Sequence, residues 1–125
     1  MNVVKIIFFF CIFVTLLLFT SFYLNTDYYV ESNSYDLGDI KKRENNIANF
    51  NILNKGKNIL YVKNIESDCD CNIVRINRKF ALPGESIIVT ARYKGNTQGF
   101  FQRLIIVRMN IKGRFLLLKV IGKQY

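Results

Sequence analysis

Apolar and polar residues alternate in short runs along the chain from Leu37 to Tyr125, and turn-forming residues separate the runs. This period of two is typical of half-buried β-strands. It is clearest between Ser86 and Tyr93, where one face carries Ile87, Val89, Ala91 and Tyr93 and the other carries Ile88, Thr90 and Arg92. With turn signals about every ten residues, the pattern predicts an all-β sandwich.

The alternation predicts six strands, and short turn motifs separate them. The strands are Ile47–Leu53, Ile59–Ile65, Cys71–Ile76, Ser86–Tyr93, Phe101–Met109 and Phe115–Ile121. The turns are Asn54-Lys55-Gly56, Pro83-Gly84, Gly95-Asn96-Thr97 and Ile111-Lys112-Gly113-Arg114. In the last two strands the inward residues are expected to be Ile105, Val107 and Met109, then Leu116, Leu118 and Val120.

Two predicted strands are apolar on both faces, at Leu104–Val107 and at Phe115–Leu118. Central strands covered on both sides would explain this pattern, and so would a face that binds a partner. We favour the partner interpretation, because a two-sheet sandwich leaves one face of each sheet in water.

The N-terminal segment differs from the rest of the chain, because nineteen residues from Ile6 to Leu24 carry no charge. A helix of that length spans close to the roughly 30 Å hydrocarbon core of a bilayer. Lys5 precedes the run and acidic residues follow it, which places the N-terminus in the cytoplasm. We therefore predict an uncleaved signal-anchor helix within residues 1–24, a linker over residues 25–36, and an exported domain over residues 37–125.

A cleaved signal peptide is the alternative for this segment. It is disfavoured because the apolar run is longer than the usual core of a signal peptide, and no small-x-small cleavage site follows it cleanly. The expected localisation is the inner membrane, with a single pass and the C-terminal domain on the periplasmic side.

The composition excludes several classes of enzyme, because the chain contains no histidine. Ser-His-Asp and Cys-His nucleophiles and His-ligated zinc are therefore absent.

The net charge is +9, and residues 1–35 contribute −1, so residues 36–125 carry +10. Export argues against a nucleic-acid partner. Anionic lipids or envelope polyanions are a more plausible attraction, and a merely solvated basic surface is the alternative.

Cys69 and Cys71 form the single grouping in the sequence that could carry chemistry. They could pack as small apolar residues, bridge each other, bind a metal with Asp68 or Asp70, or exchange disulfides with an oxidoreductase. In a regular strand their Cα atoms would be nearly 7 Å apart, so a mutual bridge requires a turn or bulge. We favour packing or a structural disulfide. Cys11 lies in the apolar segment and is interpreted as an apolar residue.

The motifs of residues 36–125, taken in order, resemble the bacterial family catalogued as domain of unknown function (DUF) 1573. They are Asp36-Leu37-Gly38, Phe50, Asn54-Lys55-Gly56, Cys69-Asp70-Cys71-Asn72, Pro83-Gly84-Glu85, Gly99-Phe100, Asn110 and Leu118-Lys119-Val120-Ile121-Gly122. The resemblance implies an immunoglobulin-like β-sandwich. It also marks a set of residues as structural turns: Asn54, Gly56, Pro83, Gly84, Gly99 and Gly122.

The chain departs from the family pattern at two positions of the cysteine motif. Asp70 stands where the family has Gly, and Asn72 stands where it has Thr. Asp68 and Asp70 place negative charge beside both thiols, which disfavours reactive thiolates.

We therefore expect no catalytic, cofactor-binding or metal-binding residue, and a non-enzymatic interaction or structural role in the bacterial cell envelope. The partner would be an envelope protein, bound by a sheet face or by strand addition. The alternative is a thiol redox or metal-handling module centred on Cys69 and Cys71.

Overall fold

The computed structural model describes residues 2–22, 26–41, 46–69, 72–95 and 98–125. Within these residues there are one helix and nine strands. The elements are α1 Val3–Phe22, β1 Tyr28–Val30, β2 Ser34–Ile40, β3 Asn46–Asn54, β4 Leu60–Ser67, β5 Asn72–Ile76, β6 Phe80–Ala81, β7 Ser86–Tyr93, β8 Gly99–Met109 and β9 Phe115–Gln124. The predicted turn at Gly95-Asn96-Thr97 lies partly outside the described residues.

The strands form two sheets, of order β1-β3-β7-β5 and β2-β9-β8-β4-β6. All strand pairs are antiparallel except β2 with β9. If β1 is lettered A, β2 A′, and β3, β4, β5, β7, β8 and β9 B to G, the sheets read A-B-E-D and A′-G-F-C, which is the strand order of an immunoglobulin fold. The two-residue β6, which lies between D and E in the chain, pairs beside C as an additional strand. The two-sheet sandwich expected from the alternation is confirmed.

The core lies between the sheets and is built from the inward positions of each strand. On β7 the four residues that alternation groups on one face, Ile87, Val89, Ala91 and Tyr93, are all buried. The predicted inward residues of β8 and β9 are buried as well: Ile105, Val107, Met109, Leu116, Leu118 and Val120. Alternation therefore identified the core face of the long strands correctly, because each of them has one face on the core.

The segment over residues 25–36, expected to be a linker, contains β1 and the first part of β2. Thr26 is buried, and its N–H donates to the Asn110 carbonyl at 3.1 Å. Lys55 N donates to the Asp27 carbonyl at 3.1 Å. The linker prediction is therefore wrong for residues 28–30 and 34–36. A three-residue edge strand such as β1 is too short to show a period of two.

The parallel pairing of β2 with β9 continues to the end of the chain. Tyr125 N donates to the Ile40 carbonyl at 3.2 Å. The Asp39 carboxylate raises the pKa of the Tyr125 hydroxyl, first through side-chain hydrogen bonding and also through its negative charge.

Helix α1 carries the apolar N-terminal segment, and most of its described side chains are exposed. Among the residues that the structure describes, no helix combines the length and apolarity needed to span a membrane.

Candidate functional site

The chain crosses from the five-stranded sheet to the four-stranded sheet between β4 and β5, and Cys69 lies in this crossing. Two hydrogen bonds between Asp68 and Leu104 hold the crossing against β8. Asp68 N donates to the Leu104 carbonyl at 3.1 Å, and the Asp68 carboxylate accepts from Leu104 N at 3.0 Å. The Ser67 hydroxyl donates to the Cys69 carbonyl at 3.0 Å. The crossing is therefore fixed on its β4 side by local polar contacts.

Cys69 is disulfide-bonded, whereas Cys11 is a free, exposed cysteine. Asp70 and Cys71 lie outside the described residues. The Asn72 N–H donates to the Cys69 carbonyl at 3.3 Å, so a backbone hydrogen bond joins the described residues on either side of this gap.

In this bridged state Cys69 offers no thiolate to a metal or to a substrate. No group of three or more potential ligating side chains occurs among the described residues. The Asp68 carboxylate, considered from the sequence as a metal ligand, instead accepts the Leu104 amide.

Strand β5, which starts at Asn72, is an edge of the four-stranded sheet. Asn77 N donates to the Ile88 carbonyl at 3.2 Å. In an antiparallel ladder the backbone groups of alternate residues point to the same side. Arg75 and Ile73 therefore direct their backbone groups toward β7, and Val74 and Ile76 direct theirs away from it. Within the described chain no strand pairs with that outer side.

The outer face of the four-stranded sheet is apolar and basic beside this edge. A shallow depression of about 120 Å³ is lined by Ile47, Ile73, Arg75, Thr90 and Arg92. Ile47 is 38% exposed and Ile73 is 40% exposed. Strands β3, β5 and β7 contain no acidic residue, so nothing on them neutralises the two arginines.

Neither arginine of this depression has a hydrogen-bond or ion-pair partner in the described part of the chain. The two ion pairs found there join Arg78 to Glu85 and Arg108 to Glu66. Arg75 is paired in register with Thr90, and Ile73 with Arg92, so the two guanidinium side chains lie diagonally across the β5–β7 pair. The Thr90 hydroxyl between them donates to Asn49 Oδ1 at 2.9 Å.

A buried polar cluster lies behind the same end of β5, inside the sandwich. Asn72 and Tyr93 are register partners, and both side chains are buried. Among the described residues, Asn72 Nδ2 and Oδ1, the Tyr93 hydroxyl and Gln124 Oε1 have no hydrogen-bond partner. Gln124 Nε2 donates to the Gly95 carbonyl at 2.8 Å. Unpaired buried polar atoms are rare and destabilising, so this end of the core is less stable than the rest.

Removing the unpaired hydroxyl by Tyr93→Phe is expected to raise the free energy of unfolding by about 1 kcal/mol. The ring would keep its stacking on Phe101, whose centroid lies 4.0 Å away. Chemical denaturation of both proteins measures the difference. Tyr61→Phe is the matched control, because Tyr61 is partly exposed and should change stability little. A loss of 1 kcal/mol or more on Tyr93→Phe would mean that the hydroxyl is satisfied in solution.

The other residues assigned to turns occupy three kinds of position. Pro83 and Gly84 are the central residues of a turn that Glu85 N closes on the Leu82 carbonyl at 2.9 Å. Gly84 has φ +87°, a value that favours glycine, and Gly99 begins β8 with φ +93°.

Asn54 ends β3, and its Oδ1 accepts from Gly56 N at 2.9 Å. The glycine at 56 is required by crowding, because a Cβ there would overlap the Thr26 hydroxyl.

Gly122 is not in a turn, which corrects its assignment from the sequence. It lies within β9, in register with Phe101. A Cβ at this position would lie 2.7 Å from Phe101 Cζ and 3.2 Å from the Gly38 carbonyl oxygen. The glycine is therefore explained by close packing under an aromatic ring and not by turn geometry.

The outward-facing apolar side chains of β8 and β9 were expected from the sequence to bind a partner, and they are only partly exposed. Leu104, Ile106 and Leu117 are half-buried, and Phe115 is 48% exposed. Arg108 and Glu66 form an ion pair at 3.5 Å near this strip. Nothing in the described residues distinguishes a particular ligand for this face.

The sequence analysis did not bring Arg75 and Arg92 together. It placed Arg92 on one face of its strand with Ile88 and Thr90, but the strand order and register that set Arg75 diagonally opposite are long-range properties. The signal available in the sequence was the absence of acidic residues from three predicted strands.

Comparison with families and solved structures supports the fold. The model of a family described as "Protein of unknown function (DUF1573)" matches residues 28–123. Curated proteins give no match to this chain. A protein of unknown function from Porphyromonas gingivalis W83 superposes with a TM-score of 0.71 at 17% identity, over 82% of this chain and 48% of that one. The chain thus spans about half the length of that protein.

Two further solved structures have related sandwiches. PapD-like domain 7 of human CEP192 matches with a TM-score of 0.62 at 10% identity, over 81% of this chain and 87% of that one. The CsuC-CsuE chaperone-tip adhesion subunit complex from Acinetobacter baumannii matches with a TM-score of 0.53 at 13% identity, over 78% of this chain and 57% of the matched one. At these identities the matches show a shared fold.

Proposed function

The chain belongs to the DUF1573 family of proteins of unknown function, and we propose that it is a non-enzymatic protein-binding module of the bacterial cell envelope. The observation that carries this proposal is the open edge of β5, where the backbone groups of Val74 and Ile76 point away from β7. An extended segment of another protein can pair with such an edge by strand addition.

Several features favour β5 over the other sheet edges. Strands β1 and β6 have three and two residues, which is too short to template a stable pairing. The pairing of β2 with β9 is irregular between Asp36 and Asp39, and Gly38 has φ +70° there. Strand β5 offers five residues in continuous register with β7. The related sandwich in a chaperone–adhesion subunit complex is consistent with a binding role.

A proline scan of β5 is expected to separate the open side of the strand from the paired side. Val74→Pro removes an N–H that points outward, so the fold should persist while strand addition is blocked. Ile73→Pro removes an N–H directed at β7, and it should cost about 1–3 kcal/mol more stability than Val74→Pro. Thermal unfolding of the full chain in detergent measures this difference. Equal losses for both variants would contradict the assigned direction of the edge.

Binding is tested by selecting displayed ten-residue peptides on the detergent-solubilised full chain. We expect the wild-type protein to enrich peptides with strand-forming alternation, and Val74→Pro to lose that enrichment. Ile76→Pro blocks the second outward N–H and serves as an independent variant. Enrichment that survives both substitutions, or no enrichment with the wild type, would overturn the proposal.

We also propose that residues 6–24 anchor the protein in the inner membrane, with its N-terminus in the cytoplasm and the sandwich on the periplasmic side. The support is the nineteen-residue uncharged run, which extends two residues beyond α1. Large apolar side chains on the helix are also uncovered: Phe8, Phe9, Phe10 and Phe13 are each at least 60% exposed. Carbonate washing of membranes should leave the chain in the pellet, and release into the supernatant would contradict the anchor.

A further inference from the structure

We propose that the segment that pairs with β5 carries an acidic residue and, two positions later, an apolar residue. The exposed face around Arg75 and Arg92 would recognise these two side chains. This inference rests on the proposed strand addition to β5 and specifies the sequence that would bind there. Strand addition alone uses only backbone groups, which every residue offers except proline. The side chains beside the edge therefore determine which segments bind.

The charge beside the edge is of one sign. Arg75 lies on the edge strand itself, and Arg92 lies one strand further in, diagonally opposite. Diagonal neighbours of an antiparallel pair are about 7–8 Å apart, within reach of long side chains. Neither arginine has an ion pair among the described residues, so both guanidinium groups can bind a carboxylate without breaking an ion pair to that part of the chain. Arginine also suits this role because it binds carboxylates through two parallel hydrogen bonds.

The register of an added strand sets the order of the recognised residues. Residues directly opposite each other on neighbouring strands have Cβ atoms about 4.5–5.5 Å apart. On the outer face an added strand would place one side chain opposite Arg75 and the next one opposite Ile73. In an antiparallel segment the residue opposite Arg75 therefore comes two positions before the residue opposite Ile73. The preferred sequence of the segment is Glu or Asp, then any residue, then an apolar residue. The apolar residue would cover the exposed part of Ile73.

A second copy of this chain is a poor occupant for this edge. Two β5 strands pairing with each other would bring both copies of Arg75 and Arg92 to the same face. Strand β5 contains no acidic residue to compensate. Like charges in close cross-strand positions are destabilising, so the charge favours a different, acidic segment.

The test uses two nine-residue peptides that differ only at one central position. One has Glu-Thr-Val at its centre and the other has Lys-Thr-Val, and every other residue of both peptides is threonine. Their affinities for the full chain in detergent are measured by fluorescence anisotropy, for the wild type, for Arg75→Glu/Arg92→Glu and for Val74→Pro. A third peptide keeps the glutamate but has proline at alternate positions, so that it cannot pair as a strand.

We expect the wild type to bind the glutamate peptide at least about tenfold more tightly than the lysine peptide. The charge-reversed variant should invert that preference, and the proline-containing peptide should not bind. If Val74→Pro weakens both peptides equally and charge reversal changes nothing, strand addition stands and the acidic specificity is wrong. If the proline-containing peptide binds as well as the glutamate peptide, the attraction is charge alone and strand addition fails. If neither strand-forming peptide binds the wild type, both proposals are overturned.

Discussion

Replacing Asn54 with alanine is expected to lower the free energy of unfolding by about 3–5 kcal/mol. The side chain is buried and makes four hydrogen bonds across a junction of the fold. Its Nδ2 donates to the carbonyls of Asn58 and Ala81, each at 2.8 Å. Its Oδ1 accepts from Gly56 N at 2.9 Å and from the Thr26 hydroxyl at 3.1 Å. Alanine would leave these groups without their partner in a buried site.

The size of this effect follows from the position of Asn54 between the two sheets. It ends β3 of the four-stranded sheet, whereas Ala81 belongs to β6 of the five-stranded sheet. Denaturant unfolding of the full chain in detergent measures the loss. Asn51→Ala is the matched control, because this asparagine is exposed on the same strand and should cost less than about 0.5 kcal/mol. A loss below 1 kcal/mol for Asn54→Ala would show that water replaces the amide.

Introducing a methyl group by Gly95→Ala is expected to cost about 3 kcal/mol. A Cβ at this position would overlap the hydroxyl and ring of Tyr93. The ring cannot easily move away, because it stacks on Phe101 with an interplanar angle of 6° and is itself buried. The substitution therefore forces a change in the aromatic packing at the end of the core that lies beside β5.

A double-mutant cycle tests this explanation. Tyr93→Leu shortens the side chain that the new methyl group overlaps. The loss of stability in the double variant should therefore be at least about 1 kcal/mol smaller than the sum of the losses in the two single variants. Lys94→Ala, at the exposed neighbouring position, should change stability by less than about 0.5 kcal/mol. Additive costs for Gly95→Ala and Tyr93→Leu would contradict the packing argument.

The long strands could be predicted from the sequence because each has one face on the core. Strand β7 is the clearest case, since all of its inward residues were identified from alternation alone. Strand β1 could not be found in this way, because three residues do not establish a period. Gly122 was assigned to a turn from the resemblance of residues 118–122 to the family's closing motif, and only the position of the Phe101 ring explains the glycine.

The candidate site was predictable only in part. The need for a turn or bulge at the cysteine motif followed from strand geometry and stays a prediction, because Asp70 and Cys71 lie outside the described residues. The open edge of β5 could not be foreseen, because which strand is an edge depends on the order of the whole sheet. The diagonal placement of Arg75 and Arg92 on one face has the same long-range origin, and so does the burial of Asn72 opposite Tyr93.

The fold and the site together connect the disulfide motif to the proposed binding edge. Cys69 lies shortly before β5, and the contacts of Asp68 with Leu104 hold the chain there against the opposite sheet. We propose that the motif that first suggested chemistry has a structural role beside the edge strand. Its contribution to binding would be to hold β5 in a fixed position for an incoming segment.

Amide hydrogen exchange at Val74 and Ile76 tests the proposed binding edge most directly. Full-length, isotope-labelled protein in detergent is measured by NMR, free and saturated with the glutamate peptide. Both amides should exchange rapidly in the free protein, because they point away from β7, and alternate amides such as Arg75 should already be protected. Strand addition predicts that the peptide protects Val74 and Ile76 while leaving Arg75 little changed. Bound peptide without new protection at these two amides would contradict the account.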